Sequence, residues 1–226
     1  GQEILCPADV GRHQAAFDAI REVCHKVGNG VVGRRVQREQ DVGFVRFLDG
    51  FEWFEAPDGL QPGELTQAAG IEVADQEGKK IQARYIGYDH QTGFGLIRAE
   101  KALPITPIKL GQSSSLKAGD PVLVVGHGGA ETVLGARVVL RGVFTGYWEY
   151  LLENAIYTTP PYTNYGGAAL IGRNGRLLGI GSIFTQKAIA SLGVIPCNMF
   201  VPIDLLPPIL DDLITAGKSR QPPQPW

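Results

Sequence analysis

From residue 31 onward, apolar side chains recur with a period of two in short runs, and most runs are closed by glycine, proline, asparagine or aspartate. Alternation sends successive side chains to opposite faces of a strand, so such runs must stack against other strands to bury their apolar face. Strands are expected over Val31–Gln37, Val42–Leu48, Glu52–Glu55, Gly70–Val73, Ile81–Ile86, Gly95–Arg98, Pro107–Leu110 and Val122–Val125. They continue over Val133–Tyr147, Ala155–Thr158, Ala168–Ile171, Leu177–Ile183 and Met199–Val201. More than ten short strands separated by turns, Asp75–Gly78 among them, predict an all-β barrel or sandwich and not a βαβ fold. The 30 glycines and 15 prolines of this 226-residue chain suit that many tight connections.

The period changes only near the two ends. Phe17, Ile20, Cys24 and Val27 recur at helical spacing after Asp9, a suitable cap, so residues 9–27 read as a helix. At the other end Leu206, Ile209, Leu210, Leu213 and Ile214 form an apolar stripe. Asp204 is placed to cap it, Pro207 and Pro208 fall in the tolerant first turn, and Gly217 is the natural stop. Residues 218–226, rich in proline and glutamine, read as a linker.

Charge and cysteine usage narrow the partners. A formal charge of −2 gives no electrostatic case for nucleic acid, and Arg34, Arg35 and Arg38 fit a strand edge better than a binding patch. No apolar run reaches the ~20 residues needed to span a bilayer as a helix. Cys6, Cys24 and Cys197 lack metal-ligand spacing. A Cys6–Cys24 bridge and three free thiols both fit, and no cofactor is expected.

Four segments, in this order and spacing, carry a resemblance. They are Ile81–Asp89 followed by Thr92–Ile97, Gly111–Asp120 followed by Pro121–Gly126, Thr163–Gly167 followed by Gly175–Ile180, and Phe200–Asp204 with the helix after it. Together they are similar to the trypsin-like serine proteases of the HtrA/DegP type. The resemblance runs from about residue 62 to the end. It implies a double β-barrel, with a first barrel over residues 28–110, a second over 111–203, a helix over 204–217 and a linker over 218–226 toward a PDZ domain. Residues 1–27 form the N-terminal helical segment. The family also implies a polypeptide ligand, a trimeric homo-oligomer and export to the periplasm or cell envelope.

Peptide cleavage by this family needs an imidazole base, a carboxylate that orients it and a serine nucleophile. The family's base follows a Leu-Thr-Asn-Ala pattern, and Leu65–Ala68 here leads to Ala69. Its aspartate lies in Thr-Asp-Leu-Ala, where this chain has Thr92-Gly93-Phe94-Gly95. Its nucleophile lies in Gly-Asn-Ser-Gly-Gly, where this chain has Thr163-Asn164-Tyr165-Gly166-Gly167. The resemblance thus implies that all three triad positions, Ala69, Gly93 and Tyr165, are degenerate. The four histidines are His13, His25, His90 and His127, so none falls between residues 26 and 89, where the base belongs.

A phenol with pKa near ~10 is a poor nucleophile without a base, and the Tyr165 ring would extend into the space of a scissile carbonyl. Thr163, Asn164 and Tyr165 are the oxyanion-loop equivalents, and the β-branched Thr163 disfavours any positive φ there. Ser182, with Gly181 and Ile183 on the strand that would line the specificity pocket, has no histidine near it in sequence. His90 and His127 lack ligand spacing, so no metal is assigned. The expected function is a catalytically inactive polypeptide-binding or scaffolding module. An active endopeptidase and a metal-binding pseudoprotease are the alternatives.

Overall fold

A computed structural model describes residues 80–89, 91–101, 107–126, 133–145, 151–190 and 192–220, together with backbone strands at 45–48, 51–55 and 71–74. The expected N-terminal helix, the strand Val31–Gln37, Ala69, all four histidines, Cys6 and Cys24 lie outside the described residues.

Two β units follow one another. The first is an antiparallel sheet of β1 (Val45–Leu48), β2 (Phe51–Glu55), β3 (Ile71–Ala74), β4 (Lys80–Tyr88) and β5 (Phe94–Ala99), in the order β1-β2-β5-β4-β3. The second comprises β6 (Pro121–Val125), β7 (Val133–Thr145), β8 (Leu151–Thr159), β9 (Ala169–Ile171), β10 (Leu177–Ile189) and β11 (Gly193–Pro202). These six close into a barrel in the order β10-β11-β8-β7-β6-β9, with β6 and β10 both paired to the short β9. Closure removes the free edges that an open sheet would expose.

Alternation sorts the barrel's apolar side chains into two sets. Val122, Val124, Ala136, Val138, Ile156, Leu170 and Phe200 pack together in one cluster. Leu123, Val125, Ala169, Ile171, Met199 and Val201, one residue out of step with the first set, pack with Phe94 and Leu96 of β5 and with Leu206, Ile209 and Leu213 near the chain's end. The second cluster therefore joins the barrel to the first sheet. Each of these side chains larger than alanine contributes roughly 1.5–3 kcal/mol on full burial.

The C-terminal helix, α1 (Pro207–Ala216), ends as expected. Gly217 adopts φ 72° and donates its N–H to the Leu213 carbonyl at 3.1 Å. Its own carbonyl accepts the Tyr88 N–H at 3.1 Å, docking the helix end on β4, and a Cβ at Gly87 would stand 2.6 Å from that oxygen. The expected start of the helix is corrected. Asp204 lies in a 3-10 turn, Ile203–Leu205, and the cap position is Leu206, which makes no side-chain capping bond. The Asp204 carboxylate instead accepts the N–H groups of Ser113 and Ser114 at 2.7 and 2.8 Å, 91 and 90 residues away in sequence.

Two further expectations are revised. Pro107–Leu110 forms no strand, only an isolated parallel bridge from Leu110 to Leu177. The last two strands are longer than alternation suggested, pairing from Gly179↔Pro202 out to Ile189↔Gly193. Gly193 and Pro196 weaken the strand signal in sequence, yet each arm of a hairpin supplies its partner's backbone bonds.

Candidate functional site

The segment expected to carry the nucleophile position runs from the end of β8 to the start of β9. Its last turn is set by two glycines. Ala168 donates to the Tyr165 carbonyl at 2.9 Å, and Gly167 sits at φ 69°, the third position of a type II turn, where a side chain is disfavoured. The turn is laced to β10 by Gly167 N–H to the Gly181 carbonyl at 2.8 Å and Gly181 N–H to the Ala168 carbonyl at 2.7 Å. A Cβ on Gly181 would collide with the Tyr165 carbonyl oxygen. The structure thus seats the Tyr165 turn on the segment Gly181–Ser182–Ile183.

Exposure differs along this segment. Thr163 and Asn164 are exposed, Tyr165 is half-buried and Gly181 is buried, while Ser182 and Ile183 are half-buried. Ser182 is the extra residue of a β-bulge between the pairs Gly181↔Phe200 and Ile183↔Met199, which turns the strand locally.

The position expected to carry the family's aspartate is Gly93. Asp89, 4% exposed, accepts the Thr92 N–H at 2.9 Å and the Thr92 hydroxyl at 2.7 Å, and its backbone exchanges bonds with Gly93 and Phe94 at 2.9 Å each. Gly93 adopts φ 74° within this turn. An aspartate there meets a left-handed backbone, so Gly93→Asp should cost about 1 kcal/mol, read as a small fall in Tm. Phe94, the next residue, packs in the same cluster as Ala169, which follows the Tyr165 turn by one residue. Gly93 and Tyr165 therefore both flank the region where the first sheet meets the barrel. Ala69 lies outside the described residues.

Beneath the Tyr165 segment is a polar layer that sequence reasoning missed. Tyr162 donates its N–H to Asn198 Oδ1 at 2.5 Å, and its ring packs against the cluster of Val124 and Phe200. Gly126 leaves room for its phenol. Thr158 and Asn198 are cross-strand partners, each 0% exposed. Alternation places Thr158 one layer beyond Ile156, Asn198 one beyond Phe200 and Gly126 one beyond Val124, all at the end of the barrel that Tyr162 covers. Among the described residues, Thr158 Oγ1, Asn198 Nδ2 and the Tyr162 hydroxyl have no hydrogen-bond partner. Because a buried unpaired hydroxyl is costly, the near-isosteric Thr158→Val should stabilise the fold by about 1 kcal/mol, a rise of roughly 2–4 °C in Tm. A fall in Tm would mean that the hydroxyl is partnered.

Among the described residues no group of three or more histidine, cysteine, aspartate or glutamate side chains is arranged to hold a metal ion. Nor is any described helix long and apolar enough to cross a membrane. Cys197 is a buried free thiol whose pKa burial pushes up against the pull of Lys187.

Two β units, the second a closed six-stranded barrel, define the class as a trypsin-like peptidase fold. The family model for the trypsin-like peptidase domain matches residues 56–180, and the chain belongs to that family. Relatives of HtrA type are among its matches. The chain is 28% identical over 182 residues to the periplasmic serine endoprotease DegP of Salmonella typhimurium, covering 78% of this chain and 38% of that protein. It is 30% identical over 160 residues to the periplasmic pH-dependent serine endoprotease DegQ of Escherichia coli K12, covering 70% and 34%. The chain thus spans between a third and two fifths of those relatives' lengths. Among solved structures, the HtrA-type protease AlgW with a tripeptide superposes with TM-score 0.66 at 20% identity, covering 87% of this chain and 64% of that one. That likeness speaks for the fold.

Proposed function

We propose that this chain is a trypsin-like peptidase domain of HtrA type that has given up peptide hydrolysis and acts as a polypeptide-binding or scaffolding module. The observation that carries the reading is Tyr165, a phenol at the nucleophile position of a turn still built on Gly166 and Gly167 and still seated on Gly181. Ala69 and Gly93 support it, since neither can accept a proton or orient an imidazole. Losing the triad would remove the chemistry and leave the peptide groove that the family resemblance implies. HtrA-type AlgW has been solved with a tripeptide and with a decapeptide, so a peptide is the ligand class assigned to this cleft. The Tyr165 ring is assigned to the old nucleophile space, narrowing the pocket beside Ser182. Export to the periplasm or cell envelope follows the location named for DegP and DegQ, and a trimer follows the family resemblance.

The purified chain should not hydrolyse casein above background, and no serine should react with a fluorophosphonate probe. Tyr165→Ser alone should stay inactive, because triad members act as a unit and the base is missing. Stoichiometric labelling of any serine in the unmodified chain would overturn this reading, and turnover by the single variant would reveal an overlooked base.

A further inference from the structure

The end of the barrel opposite Tyr162 carries a second concave surface. Strand β6 leads from one end to the other: Asp120 and Pro121 stand at its start, Val122 and Val124 point into the apolar cluster, and Gly126 lies beneath Tyr162. At the Asp120 end a cleft of about 580 Å³ opens between the connection entering the barrel and the turn joining β9 to β10. That volume is within the range of sites that hold a ligand, ~300–1,000 Å³. Leu116 and Leu178, members of the same apolar cluster, belong to its wall, with Arg173, Asn174, Arg176 and Asp120 among the polar residues lining it.

The charges here are unevenly matched. The Arg176 guanidinium is steadied by a bond from Nη1 to the Leu110 carbonyl at 3.1 Å, and its backbone N–H donates to Asn174 Oδ1 at 3.2 Å. Arg173 is exposed and makes no hydrogen bond or ion pair among the described residues. Two more basic residues border this end of the barrel: Lys117, whose backbone N–H is accepted by Asp120 Oδ2 at 2.8 Å, and Arg137, whose Nη1 donates to the Gly119 carbonyl at 3.1 Å. Among the described residues, Asp120 is the single acid lining the cleft. A guanidinium presents paired donors that match a carboxylate, and the leucines beside it offer apolar surface.

We propose that this cleft is a docking site for an acidic polypeptide segment, one that sets a glutamate or aspartate carboxylate against Arg173 and Arg176 and an adjacent apolar side chain against Leu116 and Leu178. The site is separate from the Tyr165 segment and does not depend on the function assigned there. The charge complementarity selects the carboxylate, and the apolar wall selects the neighbouring residue.

The probe is a fluorescein-labelled hexapeptide of alternating leucine and glutamate, titrated by fluorescence anisotropy into the purified 226-residue chain. Saturable binding is expected, weakened roughly tenfold or more by Arg173→Glu and by replacing the peptide's glutamates with glutamine. Tyr165→Ala should leave it unchanged. Arg173 is exposed and makes no hydrogen bond or ion pair among the described residues, so Arg173→Glu should keep the parent's Tm, and the loss can be read as binding. Absence of binding to the unmodified chain, equal affinity in Arg173→Glu, or loss of binding in Tyr165→Ala would overturn the proposal. So would displacement of the peptide by an equal concentration of octanoate, which would make the ligand a small carboxylic acid.

Discussion

Gly181→Ala should lower the melting temperature by roughly 6–12 °C, the consequence of a cost of about 3 kcal/mol in a chain of this size. The added methyl has nowhere to go. It would collide with the Tyr165 carbonyl oxygen and crowd Phe200 Cε1 at 3.2 Å. Neither neighbour yields cheaply. The Tyr165 carbonyl is committed to the Ala168 N–H, and Gly181 is held on both sides by its bonds with Gly167 and Ala168. Relief requires the Tyr165 turn to lift from β10, so near-ultraviolet signals from the site tyrosines should change along with Tm. Gly135→Ala is the control: on β7 an added methyl meets nothing within 4 Å, so the change should be neutral or slightly stabilising. Equal Tm values for the two variants would show that the Tyr165 turn does not rest on Gly181.

Asp204→Ala should cost about 3 kcal/mol and, unlike Gly181→Ala, its effect should depend on pH. The carboxylate receives two charge-assisted bonds from Ser113 and Ser114, and Ser113 is 0% exposed, so truncation leaves a buried N–H without its acceptor. The Ser113 carbonyl is tied in turn to Arg141 Nη1 at 2.6 Å, so the connection entering the barrel loosens as well. Burial works to raise the Asp204 pKa, but the bonds from Ser113 and Ser114 outweigh it and hold the group below its ordinary 3.8. A carboxylate whose folded pKa is depressed adds stability that is complete above the unfolded value and lost as pH falls through the folded one. The Tm gap between the parent and Asp204→Asn should therefore be full at neutral pH and shrink below about pH 4. A gap that stays constant down to pH 2 would mean that the carboxylate charge plays no part.

Much of the architecture could be read from the chain because it rests on local chemistry. A period of two makes strands wherever one face can be buried, and it located β4, β5, β6 and β9 to within a few residues. Gly217 closes the C-terminal helix because it alone tolerates φ 72° there without strain. The Thr163–Gly167 motif likewise carried its turn, since Gly167 is demanded by a positive φ within four residues. Where partners were distant, the sequence was silent or misleading. Asp204 has the composition of a helix cap, but its oxygens serve a turn about ninety residues away. The outer arms of β10 and β11 carry a broken alternation and became strands because each satisfies the other's backbone.

The candidate site divides the same way. Which residue types stand at the proposed triad positions is a property of the sequence, and no packing can give Ala69 an imidazole or Tyr165 a serine hydroxyl. That the Tyr165 turn lies on Gly181, that Ser182 is the odd residue of a bulge, and that Thr158, Asn198 and Tyr162 share one polar layer were decided by barrel closure. The physical reason is reach. Hydrogen-bond patterns within a turn are set by the φ and ψ values its own residues allow, so they are visible in a few letters. Contacts between strands depend on register and on which face each side chain takes, and those are fixed only when the whole barrel buries its apolar layer at once.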